Sequence, residues 1–231
     1  MAKGKIRAVF FDFMGTCLDW HSGVVNALPD SINDKSKFAL EWRHNYFDAN
    51  AARLAANEPP EDIDLTLRKT LGALLEKYPA CELDEQTKHR CITVWHSMPA
   101  WPDVRPAIEQ LKAQGYEVFV FANGTTRLQL DLCRSSGLSF NMLFSSELLG
   151  VYKPAPESYH KALQLVKVEP EETVMVAAHA YDTRGGKKAG MRTVYIHRWT
   201  DDINEDMDIV RSENNYFLED MSSLVAVIER L

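Results

Sequence analysis

One apolar strand is separated from every other strand-like stretch by about eighty residues of helical sequence, and this gap limits the folds the chain can adopt. The strand is Ala8-Val9-Phe10-Phe11, a short run rich in β-branched and aromatic residues and suited to burial on both faces. From Trp20 to Met98 the spacing is helical instead. Phe38, Trp42, Tyr46 and Ala49 recur at helical intervals, as do Leu67, Leu71, Leu74, Leu75 and Tyr78. Asn57-Glu58-Pro59-Pro60 and Tyr78-Pro79-Ala80 interrupt the pattern and Pro99 closes it, which predicts three or four packed helices.

Beyond Trp101 helices and strands alternate. Asp103 and Pro106 open a helix that ends at Gly115, and Tyr116 to Ala122 reads as a strand. A helix from Thr125 to Ser136, a short strand at Met142-Leu143-Phe144 and a helix from Glu157 to Leu165 follow. Glu172 to Ala178 is a buried strand, Lys187-Lys188-Ala189-Gly190-Met191 ends another helix, and Thr193 to Ile196 is a strand. Asp201 to Asp208 is acidic and expected to be a solvated loop, with a closing helix from Met221 to Leu231. Such alternation implies a parallel sheet covered on both faces. The first strand must join that sheet, so the helical block is an insertion. The expected organisation is an α/β core domain over 1-18 and 99-231, with an inserted all-helical cap domain over 19-98.

In a parallel sheet, ligands bind at the carboxyl ends of the strands. Asp12 directly follows the first strand, and Gly15 permits the sharp turn beyond it. A partly desolvated carboxylate there can act as a nucleophile, or it can merely cap the turn. Phe121-Ala122-Asn123-Gly124-Thr125-Thr126 runs from strand into helix, so backbone N–H groups and the Asn123 side chain can hold an anion or form an ordinary turn. In Gly150-Val151-Tyr152-Lys153-Pro154 a lysine sits just ahead of a helix, where it can keep a nearby carboxylate ionised or stay solvated. Tyr159 is either a site residue or a helix aromatic. The stretch from Val174 to Thr183 brings His179 and Asp182 to a further strand end, where a lone His is as readily structural. In the helical block, Glu41-Trp42-Arg43 sets Arg43 roughly 100° round the helix from Trp42. It can face a site or form a surface ion pair.

Charge and cysteine usage narrow the function classes. A net charge of -7 over 231 residues gives no basic face for nucleic acid. The apolar run after Lys3 and Lys5 is too short for a signal peptide or a membrane span, so neither a nucleic acid nor a membrane is an expected partner. Cys17, Cys81, Cys91 and Cys133 lie far apart without metal-type spacing, which points to reduced thiols in a cytoplasmic protein. Cys17, beside Asp12, is the candidate for a reactive thiol.

These motifs resemble those of the haloacid dehalogenase superfamily: a hydrophobic strand with Asp12-x-x-Gly15-Thr16, then Asn123-Gly124, Lys153-Pro154, and Asp182 spaced from Gly190 as in the last motif. Within it the chain looks most like the type II 2-haloacid dehalogenase branch. That resemblance implies a Rossmann-like core and hydrolysis through an aspartyl-ester intermediate. Asp12 would attack the halogen-bearing carbon of a small 2-haloalkanoic acid, Arg43 would receive the halide, Lys153 would keep Asp12 charged, and Asp182 would activate water. Asn123 and Gly124 would hold the substrate carboxylate. Phe13, Met14, Thr16, Tyr159 and His179 would complete the substrate-binding surround.

The chain departs from the family at Met14, Ala122, Ala177, Ala178 and His179. Phosphatase members usually carry Asp at the position of Met14, Ser or Thr at that of Ala122, and an acidic magnesium ligand at that of Ala178. Methionine does no proton chemistry, and alanine offers a metal no oxygen. The resemblance therefore implies a metal-independent hydrolase with no cofactor and a small-molecule substrate. A small-molecule phosphatase and a catalytically altered binding homologue are the alternatives, and a homodimer is left open.

Overall fold

The central strand of the sheet, β1 (Ala8–Phe11), is the one nearest the N-terminus. In the computed structural model, which describes residues 5–59, 61–78 and 81–231, β1 pairs on one side with β2 (Glu117–Ala122) and on the other with β4 (Thr173–Ala177). With β3 (Met142–Ser145), β5 (Arg192–Ile196) and β6 (Tyr216–Leu218) these make a six-stranded parallel sheet of order β3-β2-β1-β4-β5-β6. The expected breaks at Pro60, Pro79 and Ala80 lie outside the described residues.

Both faces of the sheet are covered, and the period-two alternation of β1 divides its side chains accordingly. Val9 and Phe11 join one apolar cluster, while Ala8 and Phe10 join another with Phe119, Phe121, Phe144 and Met175. The chain runs outward from β1 through β2 to β3 and returns to β4 on the other side of β1. The direction of winding thus reverses around β1, and a reversal of this kind opens a crevice at the carboxyl ends of the strands.

Between β1 and β2 lie α1 (Trp20–Ala27), α2 (Lys35–Ala55), α3 (Ile63–Lys77) and α4 (Glu85–Thr93). Each begins on an Asp whose side chain accepts a backbone N–H of the first turn: Asp19, Asp34, Asp62 and Asp84. Tryptophans lock the group together. The Trp95 ring stacks on Trp20 at 5.7 Å and meets Trp42 edge-on at 5.4 Å, while Trp42 Nε1 donates to Leu67 O and Thr70 Oγ1 across the α2–α3 contact.

The remaining helices flank the sheet: α5 (Val104–Ala113), α6 (Thr126–Ser136), α7 (Ser146–Leu149), α8 (Pro156–Val166), α9 (Ala180–Lys188), α10 (Met207–Glu213) and α11 (Leu224–Ile228). Sequence spacing did not anticipate α10 or β6. Tyr216–Leu218 is too short for a strand period to show, and α10 begins inside the acidic stretch. The closing helix is also shorter than expected, because Met221–Ser223 forms a 3₁₀ turn ahead of α11. Among the described residues, no helix is long and apolar enough to cross a membrane.

Candidate active site

Asp12 leaves the sheet with its backbone N–H still donated to Val176 O at 3.0 Å, which aims its side chain into the crevice. Both carboxylate oxygens are engaged. Oδ1 accepts from Lys153 Nζ at 3.0 Å; Oδ2 accepts from Thr16 Oγ1 at 2.6 Å and lies 3.0 Å from His179 Nδ1. Burial by itself would raise the Asp12 pKa, but Lys153 and His179 outweigh it and hold the carboxyl well below the usual carboxylate range. Asp12 is therefore ionised at neutral pH.

Lys153 is fixed from three directions. Its Nζ bridges Asp12 and Asp182 Oδ2, and its backbone N–H and C=O are clamped by the Asn123 amide at 2.8 and 3.0 Å. Asp182, in the first turn of α9, is fully buried and accepts from Tyr159 OH at 2.7 Å through its other oxygen. Burial pushes the Asp182 carboxyl up to about 6 despite Lys153 beside it. Gly185 leaves room for the phenol, since a Cβ there would lie 2.3 Å from the Tyr159 hydroxyl.

His179 sits on the opposite side of Asp12. Its Nδ1 faces the Asp12 carboxylate and its Nε2 faces Asp201 Oδ1 at 3.1 Å. Burial would lower the imidazole pKa, but the hydrogen bonds and charges of Asp12 and Asp201 push it up to about 10. Asp201 overturns the expected solvated loop at its first residue: it is 5% exposed, and its Oδ2 accepts from Trp20 Nε1 at 3.1 Å and Thr200 Oγ1 at 2.7 Å. Asp202 is also committed, accepting from Ala180 N at the start of α9 and from Tyr195 OH. The turn after β1 approaches so closely that a Cβ on Gly15, at φ +89°, would lie 2.7 Å from Asp201 Oδ1.

The helical insert contributes Arg43, which is 6% exposed and lies on the buried face of α2 with Phe38, Ala39, Trp42 and Tyr46. Its guanidinium centre is 4.4 Å from the Phe47 ring centroid and 5.4 to 5.5 Å from those of Trp20, Tyr46 and Trp95. One terminal nitrogen lies 3.0 Å from Met14 Sδ, and the buried Nε has no hydrogen-bond partner. Among the described residues no carboxylate lies within ion-pair distance of it. Arg43 and Asp12 both line a cleft of about 660 Å³ whose wall also includes His179, Asp201, Phe47, Leu54, Ile63 and Ile203.

The structure brings Asp12, Lys153, Asp182, Tyr159, His179 and Arg43 into one connected site, but several expected contacts fall elsewhere. Asp182 and Tyr159 do not reach the cleft wall; they support Lys153 from behind. Thr16 holds Asp12 and accepts from Ala178 N at 2.8 Å, out of reach of a substrate in the cleft. Phe13 is a core residue against Phe140. Asn123 lines the cleft, yet its amide is committed to the Lys153 backbone, and the Gly124 N–H is donated to Ser146 Oγ. Met14 does line the cleft. Burial pushes the Cys17 thiol pKa well up, helped by Asp12, which removes the reactive-thiol alternative.

Among the described residues, no group of three or more His, Cys, Asp or Glu side chains could hold a metal ion. The oxygens of Asp12 and Asp182 are already taken by Lys153, Thr16, His179 and Tyr159, and Ala178 supplies only backbone. This donor set does not fit magnesium, which requires several free hard oxygen ligands.

Known proteins are similar to this chain in sequence and in fold. (S)-2-haloacid dehalogenase 4A of Burkholderia cepacia is 29% identical over 84% of each chain. The crystal structure of the L-2-haloacid dehalogenase PA0810 superposes with a TM-score of 0.84 at 29% identity, covering 98% of this chain and 100% of that one. Pyrophosphatase PpaX of Bacillus mycoides is 25% identical over 98% of this chain and 99% of its own. Residues 6–190, which hold the strand-end aspartate, the lysine and the whole helical insert, match the haloacid dehalogenase-like hydrolase model, and with the sheet order they establish that the chain belongs to that family.

Proposed function

We propose that the protein hydrolyses a carbon–halogen bond at the 2-carbon of a small 2-haloalkanoic acid through an ester on Asp12. The observation that carries this reading is that a Lys153-held carboxylate and a buried Arg43, which has no carboxylate partner among the described residues, line one cleft. In the first step an Asp12 oxygen bonds to C2 of the substrate while the carbon–halogen bond breaks. The halide leaves toward Arg43, which supplies a preorganised positive charge where negative charge develops. Lys153 and His179 keep the nucleophile ionised beforehand. In this scheme residues 19-98 act as a cap domain over a core formed by 1-18 and 99-231, because α2 carries Arg43 to the strand ends. The apolar wall made by Phe47, Leu54 and Ile63 suits the hydrocarbon part of the acid.

The similarity to a pyrophosphatase raises phosphoryl transfer as the competing reaction. Met14, Ala122 and Ala178 speak against it, since none provides the acid, hydroxyl or metal-ligand oxygen that transfer would use. The test is to incubate the protein with L-2-chloropropionate in excess EDTA and measure free chloride, with pyrophosphate and magnesium as the comparison. We predict stoichiometry beyond a single turnover in the first assay. Phosphate release that requires magnesium, without chloride release, would sink the proposal.

A further inference from the structure

The ester must next be opened by water, and the geometry points to His179, oriented by Asp201, as the base that activates that water. This inference rests on the ester reading above and assigns the second half of the same reaction. Three observations support it. His179 lines the cleft, whereas Asp182 does not and has both oxygens engaged by Lys153 and Tyr159. Nδ1 lies 3.0 Å from an Asp12 oxygen, so a water bonded to Nδ1 is within reach of the Asp12 carbonyl carbon. Nε2 is held at 3.1 Å by Asp201, whose other oxygen is fixed by Trp20 and Thr200, so the ring has one orientation and Nδ1 is the nitrogen aimed at Asp12. Nucleophile, imidazole and orienting carboxylate follow one another in that order, the arrangement that lets a histidine serve as a base.

The protons balance without a further reactant. Before reaction His179 is an imidazolium shared by two carboxylates. Esterification makes Asp12 neutral and removes one of them, so the ring releases a proton to the cleft. This is the one proton the net reaction liberates along with halide. Water then bonds to the Asp12 carbonyl carbon as one of its protons passes to Nδ1. The bond from that carbon to the substrate oxygen breaks, and the second water proton goes to the departing alkoxide. Asp12 is again a carboxylate, His179 is again an imidazolium, and the 2-hydroxy acid leaves.

The groups that face the ring are Asp12 from the end of β1, Asp201 and Asp202 from the loop after β5, Tyr181 from α9, and Phe47 from α2, with Lys153 beyond Asp12 and Arg43 nearer Asp201. His179 is thus a catalytic residue by this assignment and Asp201 a positioning residue.

The experiment uses the full chain and L-2-bromopropionate, with bromide release and intact-protein mass measured after rapid quench. His179→Gln should release about one bromide per chain and then stop, with the propionate ester persisting on Asp12 and free imidazole speeding its loss. Asp201→Asn should accumulate the same ester more slowly, and the inflection in its hydrolysis rate against pH should move to lower pH. A merely structural role for Asp201 would leave that inflection in place. His179→Gln that turns over repeatedly, or that folds and releases no bromide, overturns the assignment. If His179→Gln does not fold, Asp201→Asn decides it by whether ester accumulates and the inflection moves. Wild-type protein that releases no bromide refutes the dehalogenase reading itself, and this assignment falls with it.

Discussion

The two ends of the cleft handle buried charge in opposite ways. At the core end Lys153 is enclosed with Asp12 and Asp182, and each side-chain polar atom of the three has a partner. At the helical end Arg43 is as thoroughly buried, yet it touches ring faces and a thioether. Burying a charge without an opposite charge is costly, so a fold retains such a group when something else compensates it. The core end is complete before a ligand arrives. The helical end has no such complement among the described residues, and an anionic leaving group at Arg43, as proposed above, would supply it.

The sharpest way to break that contrast is to remove each cation at constant volume. Lys153→Met leaves the buried Asp182 carboxylate without a counter-charge and Asp12 with His179 alone, and should cost about 3–5 kcal/mol of stability as well as nearly all turnover. Arg43→Met removes a charge that, among the described residues, has no ion-pair partner to strand. It should leave the melting temperature close to normal while lowering turnover by about a hundred- to a thousand-fold, as for loss of one preorganised donor. Thermal denaturation and halide release on the two variants check this. Equal destabilisation by both would mean that Arg43 is a structural cation and that the two ends do not differ.

The same contrast explains what the sequence disclosed. Asp12, Lys153 and Asp182 each follow or precede a clear strand or helix signal, so their convergence could be read from topology. Arg43 was legible as a residue but not in its burial, because ring stacking by Trp20, Tyr46, Phe47 and Trp95 comes from separate segments. Asp201 was missed altogether. It opens an acidic run, Asp201-Asp202 with Glu205, Asp206 and Asp208 following, and nothing in such a run distinguishes the one carboxylate that will be paired with a buried imidazole. Asn123 and Gly124 were read as an anion site because strand-turn-helix junctions bind anions in general. Which backbone groups a side chain will occupy depends on Lys153, thirty positions away, and local pattern cannot show it.

A second prediction concerns the alkaline limb of stability. His179 has its pKa raised in the folded protein from a usual value of 6.5 to about 10. A raised pKa means that the folded state binds the proton more tightly, so this stabilisation is fully present below about pH 6.5 and is lost as pH climbs toward about 10. Asp12 works the other way: its lowered pKa stabilises the fold above the usual carboxylate value and is lost as pH falls through the acid range. The difference in melting temperature between wild type and His179→Gln should therefore be largest near pH 6 and narrow steadily toward pH 10. Parallel curves across that window would mean that His179 is neutral in the folded protein.

The smallest expected effect comes from trimming the support of Asp201. That carboxylate receives Thr200 Oγ1 from its own loop, Trp20 Nε1 from the helical insert, and His179 from the start of α9. Thr200→Val keeps the shape of the side chain and removes one donor at 2.7 Å. The remaining two still satisfy both oxygens, so no carboxylate oxygen is left bare, and the loss should be about 1 kcal/mol, or a fall of roughly 2–4 °C in melting temperature for a chain of this length. Because Gly15 packs against the same carboxylate and limits its movement, His179 should keep its orientation, and steady-state halide release should change by less than about tenfold. Accumulation of the Asp12 ester in Thr200→Val, at a level near that of Asp201→Asn, would show instead that the loop hydroxyl and not the insert's indole fixes the carboxylate. The helical insert would then contribute to the site through Arg43 and not through Trp20.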